Sequence, residues 1–188
     1  LEYFYYNGTL TLPPPGNDSV FDGAIGVVAT PFESWKQTQI NNVFNEIEQF
    51  VNIEFQESSY SQSDVVIVNG NILGVPDSGW LGWADFPGQI SSQLGISNEQ
   101  EVYINSQHGL LDSQSDWQIG TKGYTTLVHE LGHFLGLNHP HDTGLFPGVT
   151  RIGDTYTLGS NGINQGIWTT MTYNSGWFSE NGGQAASG

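Results

Sequence analysis

Residues 127–141 read Leu-Val-His-Glu-Leu-Gly-His-Phe-Leu-Gly-Leu-Asn-His-Pro-His, and this stretch holds four of the five histidines in the 188-residue chain. Its apolar residues recur at helical spacing, so a helix is predicted from about Lys122 to Leu137 with Thr121 as its N-cap. On that helix His129 and His133 project from one face, with Cβ atoms about 5–6 Å apart. Two imidazole nitrogens can therefore converge on one metal ion.

A third ligand is predicted just beyond the helix. Catalytic zinc sites typically use three protein ligands and keep one position for water. Gly136 can adopt the left-handed backbone conformation, which ends a helix and turns the chain back. That turn would deliver His139, six residues after His133, to the same ion.

Glu130 follows His129 directly and is rotated by about 100° around the helix, close to the metal but not placed as a natural ligand. A bound metal lowers the pKa of water to about 7, and a nearby carboxylate can take the proton as that water attacks a carbonyl. Glu130 is therefore predicted to be a general base.

Composition limits the partners. The chain has 3 basic and 19 acidic residues, a formal charge of −16, which repels nucleic acid and anionic membrane surfaces. There is no cysteine, so a metal must be held by His, Asp, Glu, Tyr or backbone oxygen. No apolar run approaches the roughly 20 residues that span a bilayer, and because the chain starts at Leu1 we expect a processed or trimmed product.

The remaining pattern predicts an α+β fold in one domain. Apolar residues at helical spacing predict a long amphipathic helix from about Phe32 to Phe50. Strands are predicted around Ile53 and Phe55, at Val65–Val68 and at Glu101–Asn105, and Tyr3–Tyr6 is predicted to be a short strand or a core anchor. A break is predicted at Leu12–Asp18, and the Trp-rich segment 79–88 is a candidate edge strand because Pro87 is tolerated there.

The pattern His-Glu-x-x-His-x-x-Gly-x-x-His resembles the signature of the metzincin metallopeptidases. Thr170-Met-Thr-Tyr173 resembles their methionine-containing turn, and Met171, the only methionine, lies 32 residues after His139 (171 − 139). Residues 120–129 and Asn138-His-Pro140 look specifically like the serralysin branch.

The resemblance implies a zincin fold: a mixed twisted sheet with an edge strand lining the cleft, a long first helix, an active-site helix, and an irregular C-terminal lobe with the methionine turn. We expect an upper lobe at about 1–136, a lower lobe at about 137–180 and a flexible tail at about 180–188.

The resemblance also implies roles for individual residues. His129, His133 and His139 would be zinc ligands, and Glu130 the base. Tyr173 would be an extra, switchable ligand that stabilises the oxyanion. Met171 would form the floor of the site, and Gly136 would support the turn.

In the resembled family an extended peptide binds antiparallel to an edge strand above the metal. Trp83, Ala84, Asp85 and Phe86 form the candidate strand, although a tryptophan segment that simply faces the core fits this stretch equally well. The wall of the pocket is expected near Asn174 to Trp177.

Some features depart from the family or stand apart from it. His141 occupies a position where serralysins generally have glycine; we expect it to face water, with substrate contact or a second metal as alternatives. His108 is expected on a surface loop. Asp112–Asp116 and an Asn69–Asn71 turn offer oxygen ligands for calcium, but such loops are more often simply solvated. Two serralysin features, the helix after the methionine turn and the calcium-binding roll, are not recognised in these 188 residues, as would be expected of a trimmed chain, a natural cleavage product or a free-standing minimal protease.

These observations predict a secreted zinc endopeptidase that hydrolyses internal peptide bonds of extracellular polypeptides. Its cofactor would be one catalytic zinc, with calcium as a further candidate. Other expected partners are a proteinaceous inhibitor and the missing C-terminal calcium-binding domain. The alternative is a zinc-containing binding or adhesion module of the same fold without turnover. Within the enzyme class, an astacin-like or matrix-metalloprotease-like assignment is the other choice.

Overall fold

A computed structural model describes residues 1–12, 26–73, 81–88, 100–106, 108–174, 177–178 and 184–185. The chain divides into two compact units, Leu1–Phe134 and Leu135–Gly188. The predicted break after Leu12 and most of the predicted tail lie outside the described residues. Among the described residues, no helix has the length and apolar character needed to cross a membrane.

The first unit contains the mixed sheet. Its strands are β1 (Glu2–Tyr5), β2 (Leu10–Leu12), β3 (Gly26–Ala29), β4 (Gln56–Glu57), β5 (Val65–Leu73), β6 (Gly82–Ala84) and β7 (Gln100–Asn105). Strand β5 is central, parallel to β1 and β7 and antiparallel to β3. Its run Val65–Val68 is fully buried, as expected for β-branched residues in a sheet covered on both faces.

Strand β6 lies at an edge of this sheet. It pairs antiparallel with β7, with Trp83 opposite Tyr103 and Ala84 opposite Val102. Among the described strands β6 has no other neighbour. The segment predicted from its tryptophans and Pro87 to be an edge strand therefore takes that position.

Two helices belong to the first unit, α1 (Ser34–Glu48) and α2 (Lys122–Phe134). Helix α1 buries Ile40, Val43 and Phe44, the apolar face predicted from their spacing. The hydroxyl of Thr121 accepts a hydrogen bond from Tyr124 N (3.2 Å), as an N-cap does. Helix α2 ends three residues earlier than predicted, at Phe134 instead of Leu137.

The second unit is built mainly from turns in its described part. It contains one short 3-10 turn, Ser160–Gly162, and a two-stranded antiparallel pair, β8 (Trp177–Phe178) with β9 (Gln184–Ala185). Buried side-chain amides order these turns: Asn174 Nδ2 donates to Asn164 O (2.8 Å), and Asn164 Nδ2 donates to Thr157 O (2.6 Å).

Besides the end of α2, three sequence-based predictions for the first unit were wrong. Ile53 and Phe55 lie outside any described strand, because the backbone N of Phe55 donates to Glu48 Oε1 (2.6 Å) and the short strand β4 begins only at the next residue. The Phe55 ring stacks on Phe44 of α1, with centroids 4.2 Å apart. Asn69–Asn71 is not a turn but part of β5, where Asn69 Nδ2 donates to Thr30 Oγ1 and Pro31 O, both at 3.1 Å. His108 is buried, and its Nδ1 accepts a hydrogen bond from Leu110 N (3.2 Å).

Candidate metal centre

His129 and His133 project from the same face of α2. Their Nε2 atoms are 3.1 Å apart, and their rings stand at 90° to each other. Two nitrogens bound to one tetrahedral zinc at about 2.0–2.1 Å would lie about 3.3 Å apart. The pair is therefore spaced almost as a shared ion requires.

His139 supplies a third imidazole. It lies in the second unit, and with His129 and His133 it forms a group of side chains that could hold a metal ion. Gly136 has a φ of +94°, the left-handed conformation predicted for the residue that turns the chain after α2. Three imidazoles without a thiolate suit zinc, and three protein ligands leave a position for water. The residues present thus fit a catalytic zinc ion.

Glu130 is buried, with 6% of its surface exposed. Burial raises the pKa of its carboxyl to about 8, because the low-dielectric surroundings disfavour the charged form. A cation bound at the neighbouring histidines acts in the opposite direction and favours the carboxylate. Glu130 also lies against β6: a Cβ built on Gly82 would be 2.7 Å from Glu130 Cγ and 3.0 Å from its Cδ.

The four predicted cleft residues divide into two groups. The Phe86 ring packs edge-on against His133, with centroids 5.0 Å apart, and Trp83 is half-buried against Tyr103 at 5.3 Å. Ala84 and Asp85 are buried. Asp85 Oδ2 accepts a hydrogen bond from Glu101 N (3.0 Å), and burial raises its pKa to about 6.

Met171 and Tyr173 lie in the second unit. Met171 is buried, and its backbone N donates to Thr169 Oγ1 (3.2 Å). Tyr173 is 51% exposed, and its ring centroid is 4.6 Å from that of His139. The tyrosine that the resemblance singled out is thus in contact with one of the three histidines. In the expected pocket wall, residues 175–176 and the side chain of Trp177 lie outside the described part.

His141 is not the water-facing residue that we expected. It is 8% exposed because its ring stacks on His139, with centroids 4.9 Å apart and planes at 12°. Among the described residues His139, His141 and Asp142 form a second group of potential ligand atoms within 4.8 Å, and this group shares His139 with the first.

The contacts of Asp116 do not favour calcium. Its Oδ2 accepts hydrogen bonds from Ser113 N (3.0 Å) and Ser113 Oγ (2.5 Å), which cap the 3-10 turn Gln114–Trp117. This carboxylate oxygen therefore has a structural role in the turn, which accounts for Asp116 without a bound ion.

Two residues of the site were missed by sequence reasoning. Asp142 Oδ2 lies 2.8 Å from His139 Nδ1, and its only sequence signal is an acidic residue three positions after a predicted ligand. Gly82 contacts the side chain of Glu130, and nothing in the sequence pairs these distant positions.

Comparison with known families agrees with this geometry. The Peptidase M10 family model, described as Matrixin, matches residues 16–156, a segment that contains the three histidines and Glu130 but neither Met171 nor Tyr173. No curated protein matches the chain. Since the match covers well over half of the sequence, the chain belongs to the matrixin family and is a metzincin-type zinc metallopeptidase domain.

Proposed function

We propose that the protein is an endopeptidase of the serralysin type, in which Glu130 is the general base and Tyr173 assists the oxyanion. The main support for this proposal is the position of the Glu130 side chain. It follows a ligand histidine on α2, it is buried, and its side chain touches the edge strand β6 at Gly82. A site that used zinc only for folding would need no buried carboxyl beside its ligands.

The edge strand supports binding of an extended polypeptide. One side of β6 pairs with β7, and among the described strands none pairs with the other. A peptide added there would be held by backbone hydrogen bonds, which give affinity with little dependence on sequence. Because Gly82 has no side chain, Glu130 can lie directly against this edge strand, which would place its carboxyl close to a peptide added there.

The bound zinc would supply Lewis acidity toward the scissile carbonyl and would make water a nucleophile near neutral pH. Glu130 would take a proton from the attacking water and would then pass it to the leaving amine. The Tyr173 hydroxyl would donate a hydrogen bond to the oxyanion of the tetrahedral intermediate. The exposure of Tyr173 and the contact of its ring with His139 support this role and its role as a switchable ligand.

The serralysin subtype rests on Tyr173 two residues after Met171 and on residues 120–129 and 138–140. The same resemblance supports secretion and extracellular polypeptide substrates. It also supports a proteinaceous inhibitor and a calcium-binding domain as further partners. The charge of −16 supports the exclusion of nucleic acid and anionic membranes as partners.

The test is cleavage of casein by Glu130→Gln, with and without a chelator. General bases usually contribute about 10²–10⁴-fold, so we expect a loss of that size with zinc content unchanged. Glu54→Gln, at an exposed position, is the matched control and should cleave like the wild type. Full chelator-sensitive cleavage by Glu130→Gln would refute the assigned base. Stoichiometric zinc without cleavage of any unfolded protein by the wild type would favour the adhesion module instead.

A further inference from the structure

His139 and Asp142 are joined by a closed turn in the second unit. Asp142 N donates to His139 O (3.1 Å), and Pro140 occupies the second position of this turn, where its fixed φ favours the bend. The turn brings the Asp142 side chain next to His139.

One oxygen of that side chain accepts two hydrogen bonds. Asp142 Oδ2 is 3.0 Å from His139 N and 2.8 Å from His139 Nδ1. The other oxygen, Oδ1, is 3.7 Å from His141 Nε2, which is beyond hydrogen-bond distance. The carboxylate therefore fixes the His139 ring relative to its own backbone, and His141 covers the ring by stacking on it.

The chemistry of this contact decides which nitrogen of His139 can bind metal. An ionised carboxylate only accepts hydrogen bonds, so Nδ1 carries the proton that it donates and Nε2 keeps its lone pair. His129 and His133 also turn their Nε2 atoms toward each other. All three imidazoles then offer the same nitrogen.

We propose that Asp142 is a positioning residue, which holds His139 in the tautomer and orientation that bind the catalytic zinc. This inference rests on the proposed zinc site and deepens it. Carboxylates that accept from the second nitrogen of a ligand histidine typically contribute about 10–100-fold to metal affinity. The second group, His139, His141 and Asp142, would compete with this arrangement, because an ion there would have to displace the proton on His139 Nδ1.

The experiment measures the zinc Kd and the zinc stoichiometry of the intact chain by competition with a chromogenic chelator. Asp142→Ala should bind zinc about 10–100-fold more weakly than the wild type. Asp142→Asn should lie between them, because its amide oxygen still accepts hydrogen bonds but carries no charge. Asp154→Asn removes one exposed carboxylate from the same unit and should leave the zinc Kd unchanged.

Thermal unfolding of the metal-free proteins separates positioning from a merely structural role. If Asp142→Ala lowers the melting temperature but binds zinc within twofold of the wild-type Kd, the proposal is wrong. Two zinc ions per wild-type chain, one of them lost in Asp142→Ala, would also overturn it, since Asp142 would then be a ligand itself. Zinc affinity, zinc stoichiometry and melting temperature can all be measured without proteolysis. A protein that binds zinc but cleaves nothing would therefore refute the proposed function, while the role of Asp142 could still be tested.

Discussion

Gly82→Ala tests whether the contact between β6 and Glu130 matters for catalysis. The added methyl would lie 2.7 Å from Glu130 Cγ, 2.9 Å from Tyr103 O and 3.0 Å from Glu130 Cδ. Carbon atoms in contact normally stay about 3.5–4.0 Å apart, so the Glu130 side chain must retreat by about 1 Å. Strand β6 cannot easily move instead, because hydrogen bonds hold it to β7 at both ends. Asp85 N donates to Glu101 O, and Asn105 N donates to Leu81 O, both at 2.9 Å.

The size of the expected effect follows from that displacement. A misplacement of about 1 Å can cost about 100-fold in rate, so kcat should fall by about 10–100-fold. Overpacking of this kind also costs about 1–3 kcal/mol of stability. Zinc content should remain at the wild-type value, because the nearest atoms to the new methyl belong to Glu130 and Tyr103 and not to a histidine.

The assay is steady-state cleavage of a quenched fluorescent peptide, with zinc measured on the same samples. Gly109→Ala is the matched control, because its Cβ would meet nothing within 4 Å and its backbone is not in the left-handed region. A kcat of Gly82→Ala within twofold of the wild type would show that Glu130 does not act from its position against β6.

Two further predictions follow from the same geometry. Burial raises the pKa of Asp85 to about 6 from an ordinary value of 3.8, so the folded state holds this proton more tightly and loses stability as pH rises from about 4 to about 6. Asp85→Asn should therefore become more stable relative to the wild type as pH rises through that range, by at most about 3 kcal/mol, and the difference should stay constant at higher pH. The measurement is the free energy of unfolding in urea at several pH values. A difference between the two proteins that does not change with pH would contradict this prediction. Tyr173→Phe should lower kcat by about 10²–10³-fold while zinc stays bound, because losing one hydrogen-bond donor to the oxyanion typically has an effect of this size. An unchanged kcat would show that Tyr173 has no part in the mechanism.

The sequence predicted those parts of the site that depend on local spacing. His129 and His133 meet because residues four apart share a helix face, and Gly136 takes a positive φ because the turn after α2 requires it. Strand β5 was also predictable from its β-branched run, although it extends to Leu73. Each of these features is set by neighbours within a few residues.

Features that depend on distant packing could not be predicted. His108 and His141 are buried, although their local sequence favoured an exposed position. The His141 ring lies 5.1 Å, centroid to centroid, from that of Tyr173, which is 32 residues away in the sequence (173 − 141). The contact between Gly82 and Glu130 joins positions 48 residues apart (130 − 82) through the pairing of β6 with β7. Asn69–Asn71 has turn-forming residues, yet pairing with β3 and β7 holds it in β5.

The central claim is that three imidazoles bind one zinc ion that makes this chain a peptidase. The most direct measurement is a titration of chelator-stripped protein with zinc, followed by casein cleavage at each addition. Cleavage should rise from the background in proportion to added zinc and stop rising at one ion per chain. Cleavage that persists in the stripped protein, or zinc that binds at one ion per chain without restoring any cleavage, would contradict the account.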